Sequence, residues 1–245
     1  MLATGRLPRS LSLAACLVLA ACSGGTVGAP AGAATSTPTP AAATSSPAAP
    51  IVIEDAGVDT DLAAGTYSSR LFKPALTMEL GTGWYRTDAN TDRQIRLRYV
   101  PGEAGDMTIL GGIDYLQCGT SAVIDHPNAQ AIIDALASAT TLKVERLDPV
   151  AIGARSGSVI RLAGGGDAVP QDPLADWVRY GCVLTQGAEP FPAEAGWTPL
   201  LQDTTAQLVV VDVGDMTVLI RARPTNDAEA IYRAVLEVVR SMSLG

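Results

Sequence analysis

Beyond residue 60 the apolar side chains fall largely on every second position. Leu76, Met78 and Leu80 alternate with Thr77 and Glu79, and Ile95, Leu97 and Tyr99 alternate with Arg96 and Arg98. A period of two marks a strand with one buried face. Residues 107–116, 142–147, 159–162, 177–184, 208–213 and 216–222 read as further strands. Gly214-Asp215 joins the last two, and a two-residue Gly-X loop is the chemistry of a tight hairpin. Gly153-Ala154-Arg155-Ser156-Gly157 predicts a turn between residues 150–152 and 159–162.

Two segments change to helical period. Pro127 suits a first helical position, and Ala129, Ile132, Ile133 and Leu136 follow at i, i+3, i+4 and i+7. Near the end, Thr225 or Asn226 suits a helix cap, with Asp227 and Glu229 in the first turn. Ile231, Val235, Val238 and Met242 then form an apolar stripe. One stripe per helix places each helix on a sheet. No repeat of 20–50 residues is evident. The expectation is an α+β fold, mostly antiparallel β-sheet packed against a few α-helices, in a single domain over residues 53–245. Glu54, Asp55, Asp59 and Asp61 form an acidic lead-in, with order expected from about Leu62.

Before that domain the pattern is different. Arg6 and Arg9 precede an apolar run at residues 11–21 that only Ser12 interrupts, the shape of a secretory signal. Eleven residues reach across about half of a ~30 Å hydrocarbon core, too short for a permanent span. Leu19-Ala20-Ala21-Cys22 closes the run and resembles the lipobox of bacterial lipoproteins. The resemblance implies that residues 1–21 are a signal peptide, that Cys22 receives the lipid and that it becomes the new N-terminus. Two or three acyl chains suffice for stable anchoring. From Ser23 to Pro50 every residue except Val27 is Ala, Gly, Ser, Thr or Pro. Such a segment cannot bury enough apolar area to offset its ordering entropy, so residues 22–52 are expected to be a disordered, lipidated linker. It reaches about 30 Å as a coil and about 85 Å if extended as polyproline.

Charge and cysteine content narrow the possibilities. Of the 17 basic and 25 acidic side chains, only Arg6 and Arg9 lie in residues 1–50, so the remainder carries a net of −10. That balance disfavours nucleic acid as a partner. Cys16 lies in the signal and Cys22 carries the lipid on this reading, which leaves Cys118 and Cys182 as the expected disulfide of an extracytoplasmic domain. The competing reading is a reactive Cys118 with His126 as base, and its spacing matches no signature.

His126 is the single histidine and, next to Pro127, reads as a helix-entry residue. Asp59-Thr60-Asp61 begins like a calcium loop, but Ala63 stands where a ligand is needed. Gly164-Gly165-Gly166 lacks the Lys and Ser or Thr of a phosphate loop. Arg96 and Arg98 read as a solvated strand face. Trp84, Trp177 and Trp197 with Tyr85 and Tyr180 are candidates for a pocket or for core packing. No cofactor or metal is expected.

Gly65-Thr66-Tyr67, Phe72-Lys73-Pro74-Ala75-Leu76, Gly83-Trp84 and the closing Val239-Arg240-Ser241-Met242, in this order of elements, resemble the PsbP-like α/β sandwich over residues 64–244. The resemblance implies an antiparallel sheet flanked by helices, with residues 164–174 and 186–197 as insertions, and a binding or assembly module without catalytic residues. The expected function is therefore a membrane-anchored, non-enzymatic module that binds an envelope component, such as an envelope protein, or assists an envelope complex. A carrier or sensor of a small apolar or lipid ligand is the alternative, and an envelope hydrolase is third.

Overall fold

A computed structural model describes residues 48–87, 90–118, 122–139, 142–164, 182–186, 197–199 and 205–245. Residues 1–21, expected to be a signal peptide, Cys22 and most of the expected linker lie outside the described residues. The fold is sheet-dominated α+β. Its spine is an antiparallel sheet of eight strands in the order β10-β11-β14-β15-β7-β6-β5-β2. These are Leu142–Ile152 (β10), Arg155–Gly164 (β11), Thr205–Val213 (β14), Met216–Pro224 (β15), Gly105–Gly111 (β7), Gln94–Tyr99 (β6), Trp84–Arg86 (β5) and Asp61–Leu62 (β2).

Alternation of side chains across this sheet feeds two separate cores. Val159, Val209, Ile220, Ile109 and Ile95 are register partners on one face. Over them lie helix α2 (Ala228–Ser241) and a small sheet of Ile51–Val52 (β1), Gly65–Ser69 (β3), Leu76–Leu80 (β4) and Ser243–Leu244 (β16). Ile160, Leu208, Val210, Leu219 and Leu110 point the other way. Helix α1 (Ala129–Ser138) packs there, with Leu116 and Leu184 from a third sheet. That sheet has the order β13-β12-β8-β9, from Trp197–Pro199, Cys182–Thr185, Tyr115–Cys118 and Ile124–Asp125. Strands covered on both faces lose their alternation of polarity. Residues 206–211 of β14 and all of β7 are accordingly buried without a break.

The local chemistry explains most boundaries. Gly214, at φ +65°, turns β14 into β15 through the expected two-residue loop. Helix α1 buries Ile132, Ile133 and Leu136, and α2 buries Ile231, Val235 and Val238, with Met242 just past its end. Four expectations are corrected. The cap of α2 is Asp227, whose carboxylate accepts the Ala230 N–H, rather than Thr225 or Asn226. Asn128 caps α1 in the same way, leaving Pro127 one position before the cap. Residues 107–116 are two strands in two sheets, because Gly112 at φ +66° redirects the chain between them. Residues 142–152 form one strand, with a register shift between Leu147 and Val150 that accommodates Pro149. Within the expected 177–184 strand, only residues 182–184 lie among the described residues.

Order also begins earlier than Leu62. Ile51 and Val52, placed at the end of the linker by the sequence pattern, pair in parallel with Tyr67 and Ser68, and Ile53 is fully buried. Glu54 fixes this segment: its carboxylate accepts the Ser69 hydroxyl and the Arg70 N–H, the latter at 3.1 Å. Partial burial opposes ionisation of Glu54, but these hydrogen bonds prevail and hold its carboxyl below the usual range. Arg86 adds bonds to the carbonyls of Glu54 and Ala56.

Among the described residues several buried polar atoms lack a hydrogen-bond partner, and in Gln207 this holds for a whole amide. Gln207 is 1% exposed, and neither end of its amide has a hydrogen-bond partner. Its register neighbours are Arg161 and Ala222. An unsatisfied buried amide costs roughly 1–3 kcal/mol. Gln207→Met, which keeps the shape and removes the amide, is expected to stabilise the protein by about 1 kcal/mol and raise the melting temperature by about 2–4 °C. A fall in melting temperature in that variant would place an ordered water on the amide.

Candidate functional site

Strands β8 and β12 are neighbours in register, with Cys118 directly opposite Cys182. Their sulfurs are joined at 2.00 Å, closing a separation of 64 residues. On the chain-entropy account such a loop constrains the unfolded chain by about 4 kcal/mol. Both cysteines are buried beside Leu116, Leu184 and the apolar face of α1. The Cys118 sulfur is therefore committed to a covalent bond, and the Cys118–His126 nucleophile reading falls with it. Gln186, just past β12, donates to the carbonyls of Arg93 and Gly111 at 2.9 and 2.8 Å, fastening this sheet to the spine.

His126 lies two residues before the Asn128 cap of α1, with φ +42°. Its backbone N–H donates to the Asp114 carbonyl at 2.6 Å. The imidazole is largely exposed, with Nδ1 3.6 Å from Asp114 and Nε2 3.7 Å from Asp125. Asp114 is also paired with Arg93. Asp59 takes a positive φ in the turn before β2, and Asp61 belongs to that strand. Among the described residues no group of three or more His, Cys, Asp or Glu is arranged to hold a metal. Gly153-Ala154 is the whole of the β10–β11 turn, so Arg155, Ser156 and Gly157 belong to a strand. Gly164 ends that strand, while Gly165 and Gly166 lie outside the described residues, as do Trp177 and Tyr180. Trp197 opens β13.

Arg96 departs from the expected solvated face. Its guanidinium reaches Asp106 at 3.3 Å, and Asp106 also accepts from Arg223 Nε at 2.9 Å and Nη2 at 2.7 Å. Arg221 adjoins Thr108, across the β15–β7 register. Asp106, Thr108 and Arg221 are each less than a tenth exposed. Burial lowers Arg221 to about 10, with Asp106 opposing that shift and Arg223 and Arg96 adding to it. The guanidinium therefore stays charged at neutral pH. Arg98 extends over the Tyr85 ring, 5.7 Å from its centroid.

A separate concavity of about 400 Å³ opens between the end of β4, the 81–83 turn and α2. Trp84 and Tyr99, with ring centroids 4.9 Å apart, contribute to its lining with Leu80, Ala234 and Val238. Glu79, Thr82, Glu237 and Ser241 supply its polar groups. Gly83 is required at the turn: its φ is +90°, and a Cβ there would come within 2.6 Å of the Pro101 ring. Among the described residues, Trp84 is the aromatic candidate that contributes to this lining. Tyr99 and Glu79 entered the sequence reading only through strand alternation and Glu237 not at all, because the cleft forms only when β4, β6 and α2 meet.

No protein-family model matches the chain, and no curated protein matches it.

The buried ionic cluster sets a clear expectation. Asp106→Ala removes the carboxylate shared by Arg96 and Arg223 and facing Arg221, and is expected to cost about 3 kcal/mol. Arg96→Met, at the more exposed end of the cluster, is expected to cost below about 1 kcal/mol. Urea denaturation of the two variants measures both, and equal effects would contradict the assignment of Asp106 as the hub.

Proposed function

We propose that this chain is a membrane-anchored lipoprotein whose folded part is a non-enzymatic binding module displayed outside the cytoplasm. The observation that carries the reading is Leu19-Ala20-Ala21-Cys22 at the end of a short apolar run, followed by 28 residues of almost wholly small and Pro composition. Lipidation of Cys22 fixes the chain to the membrane, and the tether gives the domain reach over tens of ångströms. The Cys118–Cys182 bond supports the location, because disulfides persist in oxidising compartments and are rare in the cytosol. Residues 1–21 act as the signal peptide and residues 22–52 as the linker, with the globular part from residue 53 preceded by the short β1 pairing.

An antiparallel sheet with a helix on either face is the arrangement that the PsbP-like resemblance implies, and that resemblance is the ground for reading a module that binds rather than catalyses. An envelope protein is the first class of partner. The second reading, a carrier or sensor of a small apolar or lipid ligand, has as its candidate place the cleft of about 400 Å³ beside Trp84 and Tyr99. Glu79 and Glu237 make that cleft more polar than a site for a purely apolar or lipid ligand.

Replacement of Cys22 by Ala, followed by cell fractionation, tests the anchor. The variant is expected to leave the membrane fraction and appear in the soluble extracytoplasmic or culture fraction. Retention in the membrane at the wild-type level would overturn the lipid-anchor reading.

A further inference from the structure

We propose that the first part of α2, residues 228–233, is a lid that opens away from the spine while the second part stays docked. The proposal goes beyond the binding-module reading and does not depend on it. It rests on what the two parts of the helix cover. Beneath the second part the contact is apolar: Ala234, Val235, Val238 and Val239 are buried in the first core. Hydrogen bonds also tie its end, because the Glu79 N–H donates to Ser241 Oγ at 2.9 Å, and the strand that follows pairs Leu244 with Leu76.

The first part covers polar groups instead. Arg161 and Gln207 are register partners on β11 and β14, and alternation puts them on the same face of the spine as Val159 and Val209. The Arg161 guanidinium lies 4.9 Å from the Tyr232 ring centroid and 3.3 Å from the Glu229 carboxylate, which places these strands beneath residues 229–232. Gln207 and Tyr232 are 1% and 3% exposed. Among the described residues, neither end of the Gln207 amide, nor the Tyr232 hydroxyl, nor Arg161 Nε has a hydrogen-bond partner. A polar group unpartnered in the closed state regains water in the open one, so each such group lowers the cost of opening. Opposing it are the apolar surface of Ile231 and the Tyr232 ring, and the pair between Glu229 and Arg161. The Glu229 side chain is 69% exposed, so solvent screens that pair and it is a weak latch. The two parts of α2 therefore differ in opening cost, and the break falls between Arg233 and Ala234. Opening uncovers Arg161 and Gln207 as a polar strip and leaves the hydrogen bonds between the spine strands intact. Such an event is a local unfolding, separate from the global transition.

The test is native-state hydrogen exchange of the full chain in detergent, read at single amides of α2 and corrected for intrinsic rates. Amides of residues 231–233 are expected to be about 100-fold less protected than those of residues 238–240. Fraying of a helix end gives a gradient of its own, so the decisive reading is the response to a change outside the helix. Gln207→Met removes the uncompensated amide from the closed state and is expected to slow exchange at residues 231–233 about five-fold. Tyr232→Phe leaves the strands untouched and is expected to act in the same direction, which provides a second reading if the strand variant folds poorly. Unchanged exchange at residues 231–233 in both variants would mean that Gln207 and the Tyr232 hydroxyl stay covered, as in simple fraying. Faster exchange would mean that these groups are already compensated when the lid is closed. Either result, or uniform protection along α2, would overturn the proposal.

Discussion

Strands β7, β15 and β14 have core on both faces, and the other elements are arranged around that fact. A sheet buried on one side can leave its second face wet, but residues 206–211, 217–222 and 105–111 leave no such face among them. Each Val, Leu or Ile taken from water there contributes roughly 1.5–3 kcal/mol. Two covers are therefore required. One is α2 with the sheet of β1, β3, β4 and β16, and the other is α1 with the sheet that carries the disulfide. The crosslink between Cys118 and Cys182 joins two strands of the second cover, and Gln186 and Asp212 fasten that cover to the spine through backbone groups of Arg93, Gly111 and Ala129.

Two-sided burial also accounts for the polar anomalies. A strand without a solvent face has nowhere to put a charged residue except beneath a cover, so Arg221 and Asp106 are held in a shared ionic cluster. Charges in such places are retained only with compensation, and Asp106 serves two arginines directly. Gln207 is one case in which compensation fails. The cleft beside Trp84 lies where β5 and the 81–83 turn meet α2, toward the β2 edge of the spine. Glu79 and Glu237 are exposed there, while Leu80, Trp84 and Val238 beneath them belong to the core.

Much of this was legible in the residues. The alternation Leu76, Met78, Leu80 and the stripe Ile231, Val235, Val238 each mark a single buried face, and both are buried as their periods require. Gly214-Asp215 names its own hairpin, and the two cysteines left after Cys16 and Cys22 pair in register. What period could not show is where one strand leaves a sheet for another: residues 107–116 look continuous because both parts are buried, and only the φ of Gly112 separates them. Nor does period distinguish a solvated Arg96 from one drawn to Asp106, since the partner comes from the neighbouring strand. A lone Arg221 inside the apolar run of β15 was the available signal for that cluster. Asp227 displaced Thr225 and Asn226 as cap because β15 continues to Pro224 and delays the helix start.

Native-state hydrogen exchange, followed amide by amide, measures the dependence on the two-sided spine most directly. Amides of residues 206–211 and 217–222 are expected to exchange only through global unfolding, with protection above that of the short edge pairings of β2 and β16. Exchange of those central amides as fast as Leu62 or Leu244, under conditions where the protein stays folded, would contradict a structure organised around strands buried on both faces.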